Sequence, residues 1–385
     1  MDDLFFTEEH EMLRDMVRDF ARNEVEPVAR ELDASGEFPW DLVKQMGELG
    51  LMGIPVPEKY GGAGMDTVAY AAAVLELARV DASVAITMAA HTSLGTMPIV
   101  LAGSEEQKQK YVPPLASGET LGAFGLTEPG AGSDAGNTQT TAVKDGDEFV
   151  VNGSKIFITN SGVAGLLTLT ARTIIDGEPK GIGAFVTPTA VSGLKIGPKE
   201  KKMGWRASDT RQIFFDDMRV PAENMLGEPA GGFKTFLKTL TGGRISVAAL
   251  AVGTAEGAYG KALRYATERT AFGKPIHKFQ SVGFKLADMA TRIEAAKLLV
   301  FRAAWLMDQG RDALKNAAMA KLFASEVAMD VTTDAIQIHG GYGYVKEYDV
   351  ERFFRDAKVL EIGEGTSEIQ RLVISRKIVE ALSEA

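Results

Sequence analysis

The chain has 385 residues, 45% of them hydrophobic and 24% charged, with a formal net charge of -10. That length supports two or three core-forming units, and the acidic balance argues against broad binding to nucleic acid or anionic membrane, which needs a basic surface. With no cysteine, disulfides, thiolate catalysis, zinc-thiolate sites and iron–sulfur clusters are excluded.

Four histidines occur (His10, His91, His277 and His339). No pair has helical metal-ligand spacing, so no metal is expected. The chain starts MDDLFF, without the basic region of a signal peptide or the arginine-rich face of a transit peptide. No apolar run is expected to approach membrane-span length. A cytoplasmic protein with no membrane span and no nucleic-acid partner is the expectation.

From Thr7 to about Gly118 the pattern predicts helices. Thr7 and Glu8 open a run with Met12, Met16, Val17 and Phe20 on one face. Pro39 and Trp40 begin a second helix that ends near Gly50. Further helices are predicted over Asp66 to Arg79, Ala82 to Leu101 and Glu105 to Leu115. Strand signals take over at about Gly122: Glu148 to Val151, Lys155 to Thr159, Leu166 to Arg172, Gly181 to Val186 and Arg211 to Phe215, separated by Gly, Asn and Asp turns. This block reads as an antiparallel barrel or sandwich ending near Gly227. Helix returns near Gly231. Its stretch Ile245 to Glu268 is crowded with alanine and glycine, which suits close helix–helix contact in a bundle. Long helices follow over Phe279 to Gln309, Ala313 to Ile338 and Ser367 to Leu382. The fold class expected is α+β, mostly α: an N-terminal helical domain (1–121), a middle antiparallel β domain (122–228) and a C-terminal four-helix-bundle domain (229–385).

Five segments could carry chemistry. In FGLTEPGAGSDAG, Phe124 to Gly136, the residues Gly130, Gly132 and Ala135 satisfy G-x-G-x-x-A. A dinucleotide fingerprint needs a strand before and a helix after, whereas Glu128 and Pro129 precede and a polar stretch follows. The segment is either a surface turn or an open loop whose backbone N–H groups and Thr127 and Ser133 hydroxyls bind a polar ligand. In KIFITN, alternation puts Phe157 and Thr159 on one strand face. They form either a core phenylalanine beside a solvated threonine, or a ring stack with a hydrogen-bond partner. Arg269, in ERTAFGKPI, closes a long helix, where it meets the helix dipole or could grip a pyrophosphate.

In QIHGGYGY a C-cap explains one of Gly340, Gly341 and Gly343; three suggest that backbone passes close to something flat or bulky. Glu364 sits between Gly363 and Gly365, and Ser367 and Gln370 have capping-box spacing for the last helix. A carboxylate there is either simply stabilised by the dipole, by about 0.3–1 kcal/mol, or is a general base whose flanking glycines leave room for substrate. No nucleophile elbow and no P-loop occur.

These segments, in this order and over essentially the whole chain, resemble the acyl-CoA dehydrogenase family; GLTEPGAGSDAG and QIHGGYGYVKEYDVERFFRD look like its signature stretches. The resemblance implies that Phe124, Leu126, Thr127 and Ser133 line the site for FAD and acyl-CoA, Ser133 also touching the CoA portion. It implies that Phe157, Ile158 and Thr159 lie against the isoalloxazine. Arg269, Phe272, Gln280, Gln337, Gly340 and Gly341 would hold FAD of a neighbouring subunit, implying a homotetramer. Thr366 and Glu368 match FAD-contacting positions, Thr241, Arg244, Gly363 and Gly365 border the substrate, and Glu364 matches the catalytic base.

Two departures stand out. Phe157 replaces a frequent tryptophan, and Gly363 replaces the tyrosine of straight-chain members. Isovaleryl-type members share that glycine but place their base on an earlier helix, at the position of Gly243, which cannot serve. The implied reaction is α,β-dehydrogenation of a short-chain acyl-CoA, straight or branched, with electrons passed to an electron-transferring flavoprotein. An oxygen-using acyl-CoA oxidase and a catalytically silent flavoprotein of the same fold are the alternatives.

Overall fold

The computed structural model describes residues 2–383, in the order helical, sheet, helical. The first layer holds α1 (Asp2–Phe5), α2 (Glu8–Phe20), α3 (Glu26–Ser35), α4 (Trp40–Glu48), α5 (Thr67–Ala78), α6 (Ala82–Ala89), α7 (Met97–Ala102) and α8 (Glu105–Ala116). Thr7 caps α2 in a capping box with His10, and the other imidazole nitrogen of His10 meets Asp66 at 2.9 Å. His10 therefore takes an inward place with Val17 and Phe20. Met12 points outward, 72% exposed, which corrects its expected place on the buried face. A π-helical turn, Ala21–Val25, joins α2 to α3 without a break.

Every residue of α5 after Thr67, and every residue of α6, is buried; helices apolar all round belong inside a protein. A second π turn, Ala90–Thr96, links α6 to α7. Ala82–Ala102 spans 21 residues at mean hydropathy 1.5, long and apolar enough to cross a membrane. The expectation that no run approaches that length is thus corrected. Here 78% of the apolar stretch is buried inside the protein, against the C-terminal helices and the sheet.

The middle layer is one seven-stranded sheet: β1 (Gly122–Gly125), β2 (Thr141–Asp145), β3 (Glu148–Thr159), β4 (Leu166–Ile175), β5 (Glu178–Pro188), β6 (Leu194–Lys199) and β7 (Thr210–Pro221). Its order is β1-β4-β2-β3-β7-β6, with β5 on the other side of β4. The β3–β7, β4–β5 and β6–β7 ladders are antiparallel, as expected. β1 and β2 both run parallel to β4, so the sheet is mixed. The short strands β1, β2 and β6 carry too few alternating apolar residues to stand out in the sequence.

The last layer starts with α9 (Gly232–Glu268), followed by a small hairpin of β8 (Thr270–Ala271) and β9 (Lys274–Pro275). α10 (Gln280–Asp308), α11 (Leu314–His339), α12 (Val350–Lys358) and α13 (Ser367–Ser383) complete the chain. The crowding of small residues on α9 has a steric cause. A Cβ at Gly253 would lie 2.3 Å from the Leu75 carbonyl, and one at Gly257 2.3 Å from the Arg79 carbonyl, so α9 crosses α5 at backbone distance. α13 lies along α11 with only Ser367 and Gln370 buried among its described residues.

Candidate active site

Glu364 stands in the turn between α12 and α13. Its backbone is left-handed, φ 50, and Gly365 follows at φ 92; such a conformation costs a non-glycine residue roughly 1–2 kcal/mol. The turn is held from two sides. The Gln370 amide donates to the carbonyls of Glu364 (3.2 Å) and Gly365 (2.8 Å). The ammonium of Lys321, a fully buried residue of α11, donates to the Gly365 carbonyl at 2.8 Å. Thr366 caps α13, its hydroxyl accepting the Ile369 N–H at 3.3 Å. The capping box expected from Ser367 is therefore displaced by one residue: Ser367 begins the helix, and its hydroxyl is buried without a partner.

The Glu364 side chain turns inward onto α9. One carboxylate oxygen, Oε2, is buried and has no hydrogen-bond partner. It rests on Gly243, where a Cβ would come within 2.1 Å of it. Burial pushes the Glu364 carboxyl up to about 7, against the opposing charges of Lys321 and Arg244. Arg244, buried on α9, has its own pKa lowered by burial, and its Nε lacks a partner. Thr241 lies one turn earlier, half-buried, its hydroxyl donating to the Leu237 carbonyl. Beside Glu364 there is room: a Cβ at Gly363 would meet only the Val359 carbonyl, at 3.5 Å. A buried carboxyl that titrates near neutrality can accept a proton from a bound molecule.

The Phe124–Gly136 loop is pinned to the sheet from behind. The Thr127 carbonyl accepts the Ile156 N–H at 2.8 Å. The buried Glu128 carboxylate accepts from the fully buried Lys155 ammonium at 2.8 Å, from the backbone N–H groups of Gln139 and Thr140, and from the Thr138 hydroxyl. Lys155 also reaches the Leu126 carbonyl at 3.1 Å. Burial favours the neutral form of both groups and pulls Lys155 down to about 8. Their pairing and the hydroxyls overcome burial at Glu128 and hold it at about 2. Phe124 is half-buried and stacks on Phe236 with centroids 4.2 Å apart; Leu126 is buried, Thr127 half-buried and Ser133 exposed. Gly130 and Gly132 have negative or ordinary φ, and nothing lies within 4 Å of a Cβ placed on either. Internal packing gives no reason for glycine at these positions.

A register shift between Lys155 and Ile158 interrupts the β3–β7 ladder. Phe157 there adopts φ 59 and is 64% exposed, while Ile158 is buried and Thr159 half-buried. The strict alternation expected over Phe157 and Thr159 is thus broken by a bulge, and the bulge presents the phenylalanine ring outward.

The remaining predicted residues lie elsewhere. Arg269 ends α9, its guanidinium 5.6 Å from the centre of the Tyr342 ring. With Tyr265, Ile276, Gly340 and Gly341 it lines a surface cavity of ≈ 500 Å³. Gly340 has φ 60, and nothing lies within 4 Å of a Cβ on Gly340 or Gly341, whereas Gly343 is required by packing, since a Cβ there would lie 2.4 Å from the Ile336 carbonyl. Phe272 stands at the hairpin tip, 95% exposed at φ 50. Gln280, Gln337 and Glu368 are exposed, and Thr366 is half-buried in the Glu364 turn. None of Phe124, Thr127, Phe157, Thr159 and Glu364 lines the Arg269 cavity. The predicted site therefore falls into two groups within one chain.

Sequence reasoning missed Lys321 and the Glu128–Lys155 pair. Lys321 had a legible signal: it lies on the stripe Ala317, Ala320, Ala324, Ala328, all buried on α11, where a lysine is out of place unless partnered.

This architecture, with a near-neutral carboxyl buried against a small-residue helix, defines a candidate acid–base catalyst. Three family profiles match: "Acyl-CoA dehydrogenase, N-terminal domain" over residues 7–119, "Acyl-CoA dehydrogenase, middle domain" over 123–218 and "Acyl-CoA dehydrogenase, C-terminal domain" over 230–379. The short-chain specific acyl-CoA dehydrogenase of Clostridium acetobutylicum is 52% identical over 376 residues, 98% of this chain and 99% of that protein. Butyryl-CoA dehydrogenase from Megasphaera elsdenii superposes with a TM-score of 0.95 at 46% identity, covering 97% of this chain and 99% of that one. A chain from the solved structure of the electron transferring flavoprotein of Acidaminococcus fermentans does so with a TM-score of 0.95 at 48% identity, covering 97% and 99%. The chain belongs to the acyl-CoA dehydrogenase family.

Proposed function

We propose that the chain is an FAD-dependent short-chain acyl-CoA dehydrogenase in which Glu364 takes the α-proton of the thioester. The observation that carries this reading is the unpartnered, buried Glu364 Oε2, tuned to about 7 and resting on the bare backbone of Gly243.

The residues present fit FAD. The outward ring of Phe157, with Ile158 and Thr159, offers a flat platform with a hydroxyl; the loop carrying Phe124, Leu126, Thr127 and Ser133 is joined to the same strand by the Ile156 N–H to Thr127 carbonyl bond. The bare backbone at Gly130, Gly132, Gly340 and Gly341 leaves space that no part of the chain fills. When bound, the flavin supplies a two-electron acceptor for the β-hydrogen.

The chain's own contribution is acid–base and positional. Glu364 holds its carboxylate inward and receives the α-proton. Its ionised form gains support from Lys321 and Arg244. The Glu364 backbone N–H is left to donate to the thioester carbonyl; a donor of this kind is worth about 3–4 kcal/mol. Thr241 and Arg244 on α9, with Gly363 and Gly365, border the acyl group. The space at Gly363 supports branched as well as straight short chains.

Reduced enzyme passes its electrons to an electron-transferring flavoprotein in the cytoplasm. The separation of the Arg269 group from the Glu364 group supports a homotetramer, in which Arg269, Phe272, Gln280, Gln337, Gly340 and Gly341 hold the cofactor of a neighbouring subunit, while Thr366 and Glu368 stand at the edge of the Glu364 turn. Exposed apolar residues on α10 and α13 (Phe284, Leu372, Ile378 and Val379) suit helix-to-helix assembly. Bleaching of the yellow protein by butyryl-CoA without oxygen tests the reading. Glu364→Gln keeps FAD and loses most bleaching; near-normal bleaching by that variant overturns it.

A further inference from the structure

The turn that carries Glu364 is left-handed at two successive residues, so something outside the turn must hold it. One clamp is local: Gln370, on the helix the turn leads into. The other comes from α11. Lys321 is fully buried, and its ammonium donates to the Gly365 carbonyl at 2.8 Å. Ammonium groups are rarely buried to this extent. Gly365 O already has a donor in Gln370, so backbone satisfaction alone does not explain a buried charge here.

The charged and titratable groups around Glu364 come from each packed element. Arg244 faces it from α9, Lys321 from α11 and the buried Tyr70 from α5. Glu361 in the preceding turn and Glu368 on α13 bear on Lys321 from either side. Arg244 borders the space proposed for substrate. Among the described residues, the Lys321 ammonium hydrogen-bonds only to the turn's backbone. Its cationic charge therefore acts on the turn and its carboxylate.

We propose that Lys321 is a positioning residue for the reaction: it clamps the Gly365 carbonyl so that the Glu364 side chain points at α9, and with Arg244 it sets buried positive charge against the Glu364 carboxylate. This rests on Glu364 being the base. Burial draws Lys321 itself down to about 8, opposed by Glu364, so it is mainly charged at neutral pH. Loss of that charge moves the Glu364 titration upward, because the carboxylate loses a stabilising neighbour.

The test compares Lys321→Met, Lys321→Arg and Glu364→Gln as FAD-loaded proteins. Methionine conserves volume and leaves Gly365 O bonded to Gln370. The rate of flavin reduction by butyryl-CoA is followed against pH. For Lys321→Met the midpoint rises by about one unit, a roughly tenfold loss of rate below neutral pH that closes above pH 9; Lys321→Arg keeps the midpoint near wild type. The carboxyl infrared band of Glu364, assigned by its disappearance in Glu364→Gln and titrated on apoprotein, shows the same upward shift. If Lys321→Met does not fold, Lys321→Gln, which keeps a donor without charge, takes its place. An unchanged midpoint in the neutral variant, by rate and by infrared band, overturns the proposal. Retained turnover in Glu364→Gln overturns the underlying reading instead, so the two failures are distinct.

Discussion

Gly243 and Glu364, 121 positions apart in sequence, share one small volume: a Cβ on Gly243 would stand 2.1 Å from Glu364 Oε2. The absence of a side chain on α9 is what lets the carboxylate lie there. A side chain at this position and the inward carboxylate exclude each other sterically. Gly243→Ala is expected to displace the carboxylate. A shift of about 1 Å costs on the order of 100-fold in turnover, with FAD content unchanged. Steady-state kinetics with butyryl-CoA, alongside the flavin absorbance ratio, checks this.

The pH dependence follows from the Glu364 carboxyl at about 7. With Glu364 as the proposed base, its ionised form dominates above that value, so kcat/KM is expected to rise about tenfold per pH unit below 7 and to level off above it. The stability effect has the opposite sense. The folded-state pKa lies above the ordinary carboxylate value of 4.5, so the stabilisation from keeping the group protonated is full below pH 4.5 and is lost as pH rises through 7. Glu364→Gln removes that loss and should stabilise the protein at pH 8 by on the order of 1–3 kcal/mol, read from denaturant unfolding of apoprotein at pH 5 and pH 8.

Nothing but the Val359 carbonyl, at 3.5 Å, would meet a Cβ on Gly363, the residue before Glu364. Gly363→Tyr should fill that space and cut kcat/KM for isobutyryl- and 2-methylbutyryl-CoA by at least about tenfold more than for butyryl-CoA, the scale of one to three kcal/mol for a filled pocket. Parallel kinetics on the three thioesters measures the ratio.

The Lys155–Glu128 pair anchors the loop bearing Thr127 and Ser133. Lys155→Met leaves a buried carboxylate without its cation and should cost about 3–5 kcal/mol. Replacing both partners, as Lys155→Met with Glu128→Gln, should cost less than the first change alone. Urea unfolding of the two proteins, with FAD affinity measured alongside, tests the order.

Much of the fold was legible because its long helices carry strong periodic signals and their ends carry caps, as at Thr7 and Asp66. What escaped depends on distant partners. α12 is short and amphipathic, nine residues inside the stretch QIHGGYGYVKEYDVERFFRD and just beyond it, too few for a periodic signal. β1 and β2 pair in parallel with β4, a choice that no local pattern encodes. Met12 was misplaced because His10 competes for the interior through Asp66, 56 residues away. At the site, Glu364 and its two glycines were visible as residues. The strain at φ 50, the contact with Gly243 and the grip of Lys321 arise from α9 and α11 meeting the turn, and sequence spacing holds no record of that meeting.

α9 runs unbroken for 37 residues, roughly 55 Å at 1.5 Å per residue. Near its start it carries Gly243 and Arg244, and at its end Arg269. If Arg269 serves a neighbour's flavin, each such rod ties two reaction centres together mechanically, roughly 38 Å apart along its axis. Cofactor release from one subunit then loosens the far end of a helix that also shapes a second subunit's catalytic chamber. Flavin loss on dilution or heating should accordingly proceed in an all-or-nothing manner, with partly emptied assemblies scarce.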